Sequence, residues 1–387
     1  MRRYLLIGLA MCGALACTSQ KNEAPDIAGA LETATIQLKA AAAAWWDSDT
    51  FPRSYGDGKY LEMTMDDWTS GFYPGSLWLD RKMTGDEVLD SLARHYTAKL
   101  AAVPAMKHTH DLGFMVMPSF ALEYAVTGDA MAKEAVIEAA HSLAGRFNDS
   151  IGLIRSWDFG KWNYPVIIDN MMNLELLFTA ADWTGEKRLR EIAMSHADRT
   201  MENHFREDYS SWHVVSYNDD GTVESKTTWQ GFSDDSRWAR GQAWGLYGYT
   251  VCYRFTGERR YLEQANKIAG LIIGLPDMPE DKIPYWDYDA PGKPDAPRDA
   301  SAAAVTASAL LELQGMVEPS LGAGYRSYAE DILRSLCSEQ YLASPGTNGD
   351  FILKHSTGAA PFNSEIDDAI CYADYYFLEA IQRYRSL

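Results

Sequence analysis

The sequence predicts an all-α protein, and more specifically an (α/α)6 barrel in which six helical hairpins close into a ring. Apolar residues recur at three- and four-residue spacing along most of the chain, which is typical of amphipathic helices. One turn motif joins successive helices in four places. The repeats are unevenly spaced, and the loops between them are rich in Trp, His and Asp. This favours a closed ring over a solenoid, because solenoids keep a fixed period.

From residue 29 onward the apolar periodicity predicts twelve helices, and no convincing run of alternating residues predicts a strand. The predicted helices span residues 29–46, 71–82, 86–101, 112–126, 130–146, 169–183, 186–204, 238–255, 258–273, 299–315, 323–340 and 367–385. No Pro/Ser-rich linker divides them. We therefore expect a single catalytic domain over residues 29–387.

The recurring turn is a Thr-Gly pair followed by an acidic residue, at residues 84–86, 127–129, 184–186 and 256–258. A Gly after the last helical turn can adopt the left-handed conformation that ends a helix. The acidic residue then lies at the positive end of the next helix dipole. Four copies of this unit indicate a repeated antiparallel hairpin.

The N-terminus has the pattern of a targeting segment. Arg2 and Arg3 precede an apolar run that is too short to span a bilayer, so residues 1–16 are predicted to be a signal peptide. Small residues precede Cys17 and a polar segment follows it, as in bacterial lipoproteins. We expect lipidation of Cys17, a tether over residues 17–28, and a cell-envelope location facing the periplasm or the cell surface. The alternative is an ordinary cleaved signal peptide.

Composition narrows the classes of function. The net charge of −19 argues against a nucleic-acid partner, because phosphate binding needs a basic surface. The 12 Trp and 22 Tyr residues suit stacking on sugar rings, although a large helical core uses the same residues. Beyond the N-terminal segment three scattered cysteines lack the spacing of a disulfide framework or a zinc site.

Candidate catalytic residues stand at the N-terminal ends of helices that precede the Thr-Gly turns. Asp111 and Asp169 each open such a helix, where a single Asp is usually an N-cap. If these helices form the inner ring, however, both carboxylates meet at one mouth, and glycoside chemistry usually needs two carboxyl groups near one bond. A helix N-terminus favours the anion, whereas a neighbouring carboxylate raises one pKa of the pair. Such a pair could share one proton near neutral pH.

A second group of candidates surrounds the helix predicted at 238–255. Arg240 and Trp244 are four residues apart and lie on one helical face. An Arg beside a Trp can bind a carboxylate while the ring stacks on a sugar. The alternative is an Arg240 that pairs with Asp234 or Asp235 within the loop. His213 lies in a predicted strand-like loop, where a single His is more often structural.

Four motifs carry a resemblance to a known family. They are His-Asp-Leu-Gly-Phe-Met at 110–115, Ile-Ile-Asp-Asn-Met-Met-Asn at 167–173, Gln-Gly-Phe-Ser-Asp-Asp-Ser at 230–236 and Trp-Ala-Arg-Gly-Gln-Ala-Trp at 238–244. In this order they resemble the unsaturated glucuronyl hydrolases of glycoside hydrolase family 88, over about residue 30 to the C-terminus. The resemblance implies the same (α/α)6 barrel. It also implies release of the 4,5-unsaturated uronate that polysaccharide lyases leave on oligosaccharides.

The resemblance also implies roles for individual residues. Asp169 matches the family's general acid/base, and Asp111 matches the partner carboxylate that binds sugar hydroxyls. The residues implied to line the subsite for the unsaturated uronate are His213, Gln230, Trp238, Arg240, Trp244, Trp68 and Trp157. The implied reaction protonates C4 of a vinyl ether and adds water at C5, and it needs neither a metal nor an organic cofactor.

Three alternatives remain open at this point. The chain could be an unsaturated rhamnogalacturonyl hydrolase, which has a similar barrel and chemistry. It could be a sugar-epimerase type of barrel, for which His108 and His110 are a poor basis. It could also be a surface glycan-binding lipoprotein without catalysis. Preference for a parent polysaccharide is expected to depend on loops such as residues 354–358.

Overall fold

The computed structural model describes residues 24–387. The predicted signal peptide, Cys17 and most of the predicted tether lie outside these residues. The predicted boundary at residue 29 falls inside the first helix, which begins at Ile27.

The described chain is largely helical. Its α-helices are α1 (Ile27–Ala44), α2 (Phe72–Thr84), α3 (Glu87–Ala98), α4 (Leu112–Val116), α5 (Leu122–Thr127), α6 (Ala130–Ala144), α7 (Leu174–Thr184), α8 (Lys187–Asn203), α9 (Ala239–Thr256), α10 (Arg259–Ile273), α11 (Ala300–Leu313), α12 (Pro319–Leu336) and α13 (Cys371–Arg385). Each predicted helical segment overlaps one of these helices. Within residues 24–387 no helix combines the length and apolar character needed to span a membrane.

Apart from α1, which contacts α2 and α3, the helices divide into two sets by their contacts. Helices α2, α4 with α5, α7, α9, α11 and α13 contact one another in that order, and α13 packs against α2. Helices α3, α6, α8, α10 and α12 each pack against the preceding member of this set. Most of α9 and nearly all of α11 are buried, whereas α10 buries only one face. Helices covered on both sides are apolar all round, and helices covered on one side are amphipathic.

The Thr-Gly turns have the structure that the motif predicts. The four glycines, Gly85, Gly128, Gly185 and Gly257, are left-handed, with φ between +67° and +78°. Each Thr hydroxyl donates to the carbonyl four residues earlier and accepts from the acidic residue's N–H. The side chains of Asp86 and Asp129 also cap the next helix, whereas the two Glu residues make no cap bond. The turn is thus fixed on both sides of the glycine.

The prediction that no strand interrupts the helices is wrong. The strands are β1 (Phe51–Gly56), β2 (Lys59–Met63), β3 (Phe147–Asn148), β4 (Leu153–Ile154), β5 (Pro165–Ile167), β6 (Val214–Tyr217), β7 (Val223–Thr227), β8 (Ser356–Ala359) and β9 (Ser364–Ile370). They form antiparallel sheets in the orders β2-β1-β9-β8, β3-β4 and β5-β6-β7. Burial does not alternate strictly along these strands: β6 buries all four of its residues, and β2 exposes four of its five. The sequence therefore lacks the period-two pattern that predicts a strand.

Three predicted helices differ from the structure in detail. The helix predicted at 112–126 contains a π-helical turn at Met117–Ala121, which includes Pro118, a residue with no N–H to donate. The helix predicted at 169–183 begins as a 3-10 helix, Ile168–Asn173. The last helix begins at Cys371 rather than 367, because residues 364–370 pair with β1 and β8. The second of these differences determines the placement of Asp169.

We expect Gly257→Ala to lower the free energy of unfolding by about 1 kcal/mol, because a φ of +67° is unfavourable for a residue with a Cβ. A Cβ added there meets no described atom within 4 Å, so the cost is conformational. Gly270→Ala in α10 is the matched control and should stabilise by roughly 0.5–1 kcal/mol through helix propensity. Urea unfolding followed by circular dichroism measures both. A shift of the same sign for both variants would contradict the interpretation.

Candidate active site

The two predicted catalytic carboxylates lie on segments that are locked together. Asp111 immediately precedes α4, and Asp169 lies in the 3-10 helix before α7. The Asn173 side-chain oxygen accepts a hydrogen bond from the Phe114 N–H at 3.0 Å. A Cβ on Gly113 would lie 2.5 Å from the Asn173 Cα, so only glycine permits this approach. The spacing between the two carboxylate segments is therefore set by the backbone.

Asp111 does not cap its helix, contrary to the usual role of an Asp in this place. Its carboxylate accepts a hydrogen bond from the Thr109 hydroxyl at 3.0 Å and lies 3.3 Å from His110 Nε2. Burial raises the pKa of Asp111, His110 and Thr109 lower it, and the negative charge of Asp169 raises it further. The net shift is upward, so Asp111 retains a proton more readily than an ordinary carboxyl group.

Asp169 is 7% exposed, and its Oδ2 has no hydrogen-bond partner among residues 24–387. The His213 Nε2 atom lies 3.5 Å from this oxygen. A buried carboxylate oxygen without a partner is costly in a folded protein. The arrangement leaves that oxygen free for a ligand or water.

The protonation of His213 follows from its hydrogen bonds. His213 precedes β6, as the predicted strand-like loop suggests, and its Nδ1 accepts from the backbone N–H groups of Trp229 and Gln230 at 3.0 and 3.1 Å. Because Nδ1 is an acceptor, the neutral ring carries its proton on Nε2. That N–H is on the side of Asp169. His213 Nε2 lies 3.5 Å from Asp169 Oδ2, and neither atom has a hydrogen-bond partner among residues 24–387, so the N–H is near the carboxylate without being bonded to it.

The predicted aromatic residues surround these groups. Trp238 lies 4.6 Å and Trp157 5.9 Å from the His213 ring, measured between ring centroids. Trp68 and Trp244 each lie 5.2 Å from Phe114, three residues after Asp111. Trp238 and Trp244 are buried, whereas Trp68 and Trp157 are partly exposed. Of these four Trp residues, only the latter two are therefore accessible to solvent in part.

Arg240 is paired, but with neither Asp234 nor Asp235. Its Nη1 donates to Asp299 Oδ2 and to the Thr357 carbonyl, both at 2.7 Å, and its Nη2 donates to the Gly358 carbonyl at 2.5 Å. The residue is 1% exposed, and its Nε has no partner in the described part of the chain. Because Asp299 also caps α11, the guanidinium joins α9, α11 and β8.

Gln230 contacts the same backbone group as Arg240. Its Nε2 lies 3.4 Å from the Gly358 carbonyl oxygen. These two predicted binding residues thus hold the hairpin formed by β8 and β9, which we call the mouth hairpin (residues 356–370). Arg53 ties the same hairpin to the segment before Trp68, since it donates to both Glu365 and Asp67. No local pattern predicts these contacts, although residues 354–358 were expected near the site.

A cavity of about 220 Å³ lies between α4, α7, α9 and α13. Its lining includes Phe114, Trp183 and the carboxylates of Glu175 and Glu379, and none of the predicted site residues. Both carboxylates pair with arginines, Arg254 and Arg383. This cavity is therefore separate from the residues that the sequence predicts for the site. Within residues 24–387 no group of three or more His, Cys, Asp or Glu side chains is arranged to hold a metal ion.

The chain is similar in sequence and in structure to known proteins. No protein-family model matches the chain. The unsaturated glucuronyl hydrolase of Formosa agariphila is 45% identical over 346 residues, which cover 88% of this chain and 86% of that protein. The crystal structure of an unsaturated glucuronyl hydrolase specific for heparin superposes with a TM-score of 0.91 and 48% identity, covering 93% of this chain and 97% of that one.

A third relative was solved with a saccharide. It is a mutant of the unsaturated glucuronyl hydrolase from Streptococcus agalactiae complexed with dGlcA-GalNAc6S. It is 30% identical to this chain, with a TM-score of 0.80, and the match covers 94% of this chain and 93% of that one. That relative therefore binds the saccharide dGlcA-GalNAc6S.

We expect Arg240→Ala to lower the free energy of unfolding by about 3–5 kcal/mol, because it leaves the Asp299 carboxylate buried without its cation. Arg259→Ala is the control, since Arg259 is 87% exposed in its ion pair with Glu263 and should change stability by less than about 1 kcal/mol. Denaturant unfolding measures both variants. Equal stabilities of the two variants would show that the Arg240 pair does not hold the helices together.

Proposed function

Because the chain belongs to the family of unsaturated glucuronyl hydrolases, which are glycosidases, we propose that it releases the 4,5-unsaturated glucuronyl residue from the non-reducing end of lyase-generated oligosaccharides. One observation carries the proposal for the site. The free Oδ2 of Asp169 is buried beside His213, close enough to Asp111 for its charge to raise the pKa of Asp111. Two interacting carboxyl groups can hold one proton at the site, and proton transfer to the substrate needs such a proton.

The proposed architecture is the (α/α)6 barrel. The contacts from α2 round to α13 and back to α2 support an inner ring, and the remaining helices support an outer ring. In this arrangement the N-terminal ends of the inner helices form one mouth. Asp111, Asp169 and Arg240 all stand at or just inside such ends.

The reaction begins with the double bond between C4 and C5, which is conjugated to the ring oxygen as a vinyl ether. A proton delivered to C4 leaves a cation at C5 that the ring oxygen stabilises, and water adds at C5 while losing its own proton. The hemiketal opens, and the resulting hemiacetal at C1 releases the remaining saccharide. We assign both proton transfers to Asp169, which donates to C4 and then accepts from water.

Asp111 and His213 support these two states of Asp169. Before transfer, one proton is shared by the carboxyl pair, because two adjacent negative charges are unfavourable in a buried site. After transfer, the His213 Nε2–H stabilises the Asp169 carboxylate that remains. The two partners therefore favour opposite protonation states, which suits a group that must give and then take a proton.

Four further predicted residues take two proposed roles. Trp68 and Trp157 present partly exposed rings on which the unsaturated sugar can stack. Gln230 and Arg240 hold the mouth hairpin, and the unpartnered Nε of Arg240 leaves one N–H for the uronate carboxylate. The rhamnogalacturonyl alternative and the glycan-binding alternative have less support, since the relatives named above are unsaturated glucuronyl hydrolases.

The assay for this proposal is loss of ultraviolet absorbance of the vinyl ether when the protein meets unsaturated disaccharides. The panel comprises lyase products of hyaluronan, chondroitin, heparin, ulvan and pectin. We expect Asp169→Asn to lower turnover at least about 100-fold, because an amide cannot deliver the proton. Asp47→Asn, at an exposed carboxylate outside the site, should retain wild-type turnover. Fast bleaching by a folded Asp169→Asn variant would refute the assignment, and selective bleaching of the pectin product would favour the rhamnogalacturonyl alternative.

The pH dependence tests the shared proton. We expect kcat/KM to fall as pH rises through the titration of Asp111, at a pH above the range of an ordinary Asp, about 4, because burial and the charge of Asp169 raise the pKa of Asp111. Asp111→Asn should abolish this fall, because an amide does not titrate in that range. Profiles of kcat/KM for wild type and variant measure the difference. Superimposable profiles would remove Asp111 from the pair.

For the N-terminus we propose lipidation of Cys17 and a cell-envelope location. The small residues before Cys17 and the polar segment after it support this proposal. Labelling with a radioactive fatty acid in a bacterial host should mark wild type and not Cys17→Ser. Equal labelling, or none in wild type, would favour an ordinary signal peptide.

A further inference from the structure

We propose that an exposed aromatic strip of Phe159, Trp229 and Phe362 binds the leaving part of the oligosaccharide and makes the enzyme favour substrates longer than a disaccharide. This inference rests on the proposed function. The three side chains are 56%, 39% and 47% exposed. Trp229 lies between the others, 6.4 Å from Phe159 and 4.7 Å from Phe362 between ring centroids. Contiguous exposed rings of this kind mark a binding surface.

The strip is assembled from three loops that are distant in sequence. Phe159 lies between β4 and β5, Trp229 follows β7, and Phe362 is at the turn of the mouth hairpin. Three loops that each present an aromatic ring at one place are unlike the scattered single apolar residues of an ordinary surface. The aromatic contact is therefore a property of this site and not of any one loop.

The strip is continuous with the carboxylate pair. Trp157 stacks on Phe159 at 5.2 Å with an interplanar angle of 21°, and its ring is also 5.9 Å from His213. His213 in turn contacts Asp169. A saccharide whose unsaturated end is at Asp169 and Trp157 therefore extends from the site toward Phe159 and Trp229. The strip is accordingly proposed to bind the remainder of the same saccharide.

The strip is held rigidly relative to Asp169. The Trp229 N–H donates to the same His213 ring that contacts Asp169, and the Trp229 ring rests edge-on against the buried Trp162 at 5.6 Å. Phe362 belongs to the mouth hairpin, which Gln230 and Arg240 hold at Gly358. A preorganised surface loses little freedom on binding.

The chemistry of the strip favours stacking over charge recognition. Asp158, next to Phe159, is paired with Arg146 at 3.0 Å and Arg155 at 3.3 Å. Aromatic rings stack on the apolar faces of sugars. Three rings in succession offer more than one stacking position, so a leaving group of more than one sugar gains contacts that a single sugar lacks.

The test compares a disaccharide with a tetrasaccharide made from the same polymer by the same lyase. Trp229→Ala keeps the backbone N–H that contacts His213, so it removes the ring without removing that hydrogen bond. We expect it, and Phe362→Ala, to lower kcat/KM for the tetrasaccharide about tenfold through KM, with less than about twofold change in disaccharide kcat. Phe232→Ala is the matched control, since Phe232 is 49% exposed in the same loop and outside the strip.

Binding is measured separately, so that failure of the strip is distinguished from failure of the proposed function. Titration of Asp169→Asn with the tetrasaccharide should give a Kd about tenfold higher when Trp229→Ala is added. Unchanged binding, or equal losses for both chain lengths, would overturn the proposal even if the wild type bleaches every substrate. A wild-type dimer that Trp229→Ala converts to a monomer would also overturn it, in favour of a second copy as the occupant. If the wild type bleaches no substrate but still binds the tetrasaccharide through the strip, the proposed function is wrong and the binding role of the strip stands.

Discussion

The arrangement of the mouth depends on one buried cation, the guanidinium of Arg240. A charge that is almost fully buried must be paired and hydrogen-bonded, and here the partners are Asp299 and the carbonyls of Thr357 and Gly358. Those partners belong to α11 and β8, whereas Arg240 belongs to α9. Satisfying one charge therefore brings two inner helices and the mouth hairpin into register. The wall of the site is a consequence of that electrostatic requirement.

His213 connects the chemistry to the surface in a similar way. Its Nδ1 is occupied by two backbone N–H groups, which leaves its Nε2–H for Asp169. One of those N–H groups belongs to Trp229, the central ring of the exposed strip. A residue beside the carboxylate thus also fixes the loop on which a longer saccharide would stack. In the proposed function, one side chain therefore supports both the catalytic carboxylate and the surface for a longer saccharide.

The charge of the protein bears on how it would hold an anionic sugar. The net charge is −19, and the arginines nearest the mouth, Arg53 and Arg240, are both paired with carboxylates. Long-range attraction therefore does not assist binding of a uronate. Stacking on aromatic rings and short-range hydrogen bonds must supply the affinity. This accounts for the abundance of Trp around a site that contains two carboxylates.

The sequence by itself determined the helices, because amphipathic periodicity and the Thr-Gly turns are local patterns. It also placed Asp111 and Asp169 at the starts of two helical segments, and its motifs indicated the family that the comparisons support. It did not reveal the short strands, the tautomer of His213 or the pairing of Arg240 with Asp299, 59 residues away. Only the tertiary structure decided these, because each depends on groups that are distant along the chain and meet when the helices pack. The periodicity of the intervening sequence does not predict such long-range contacts.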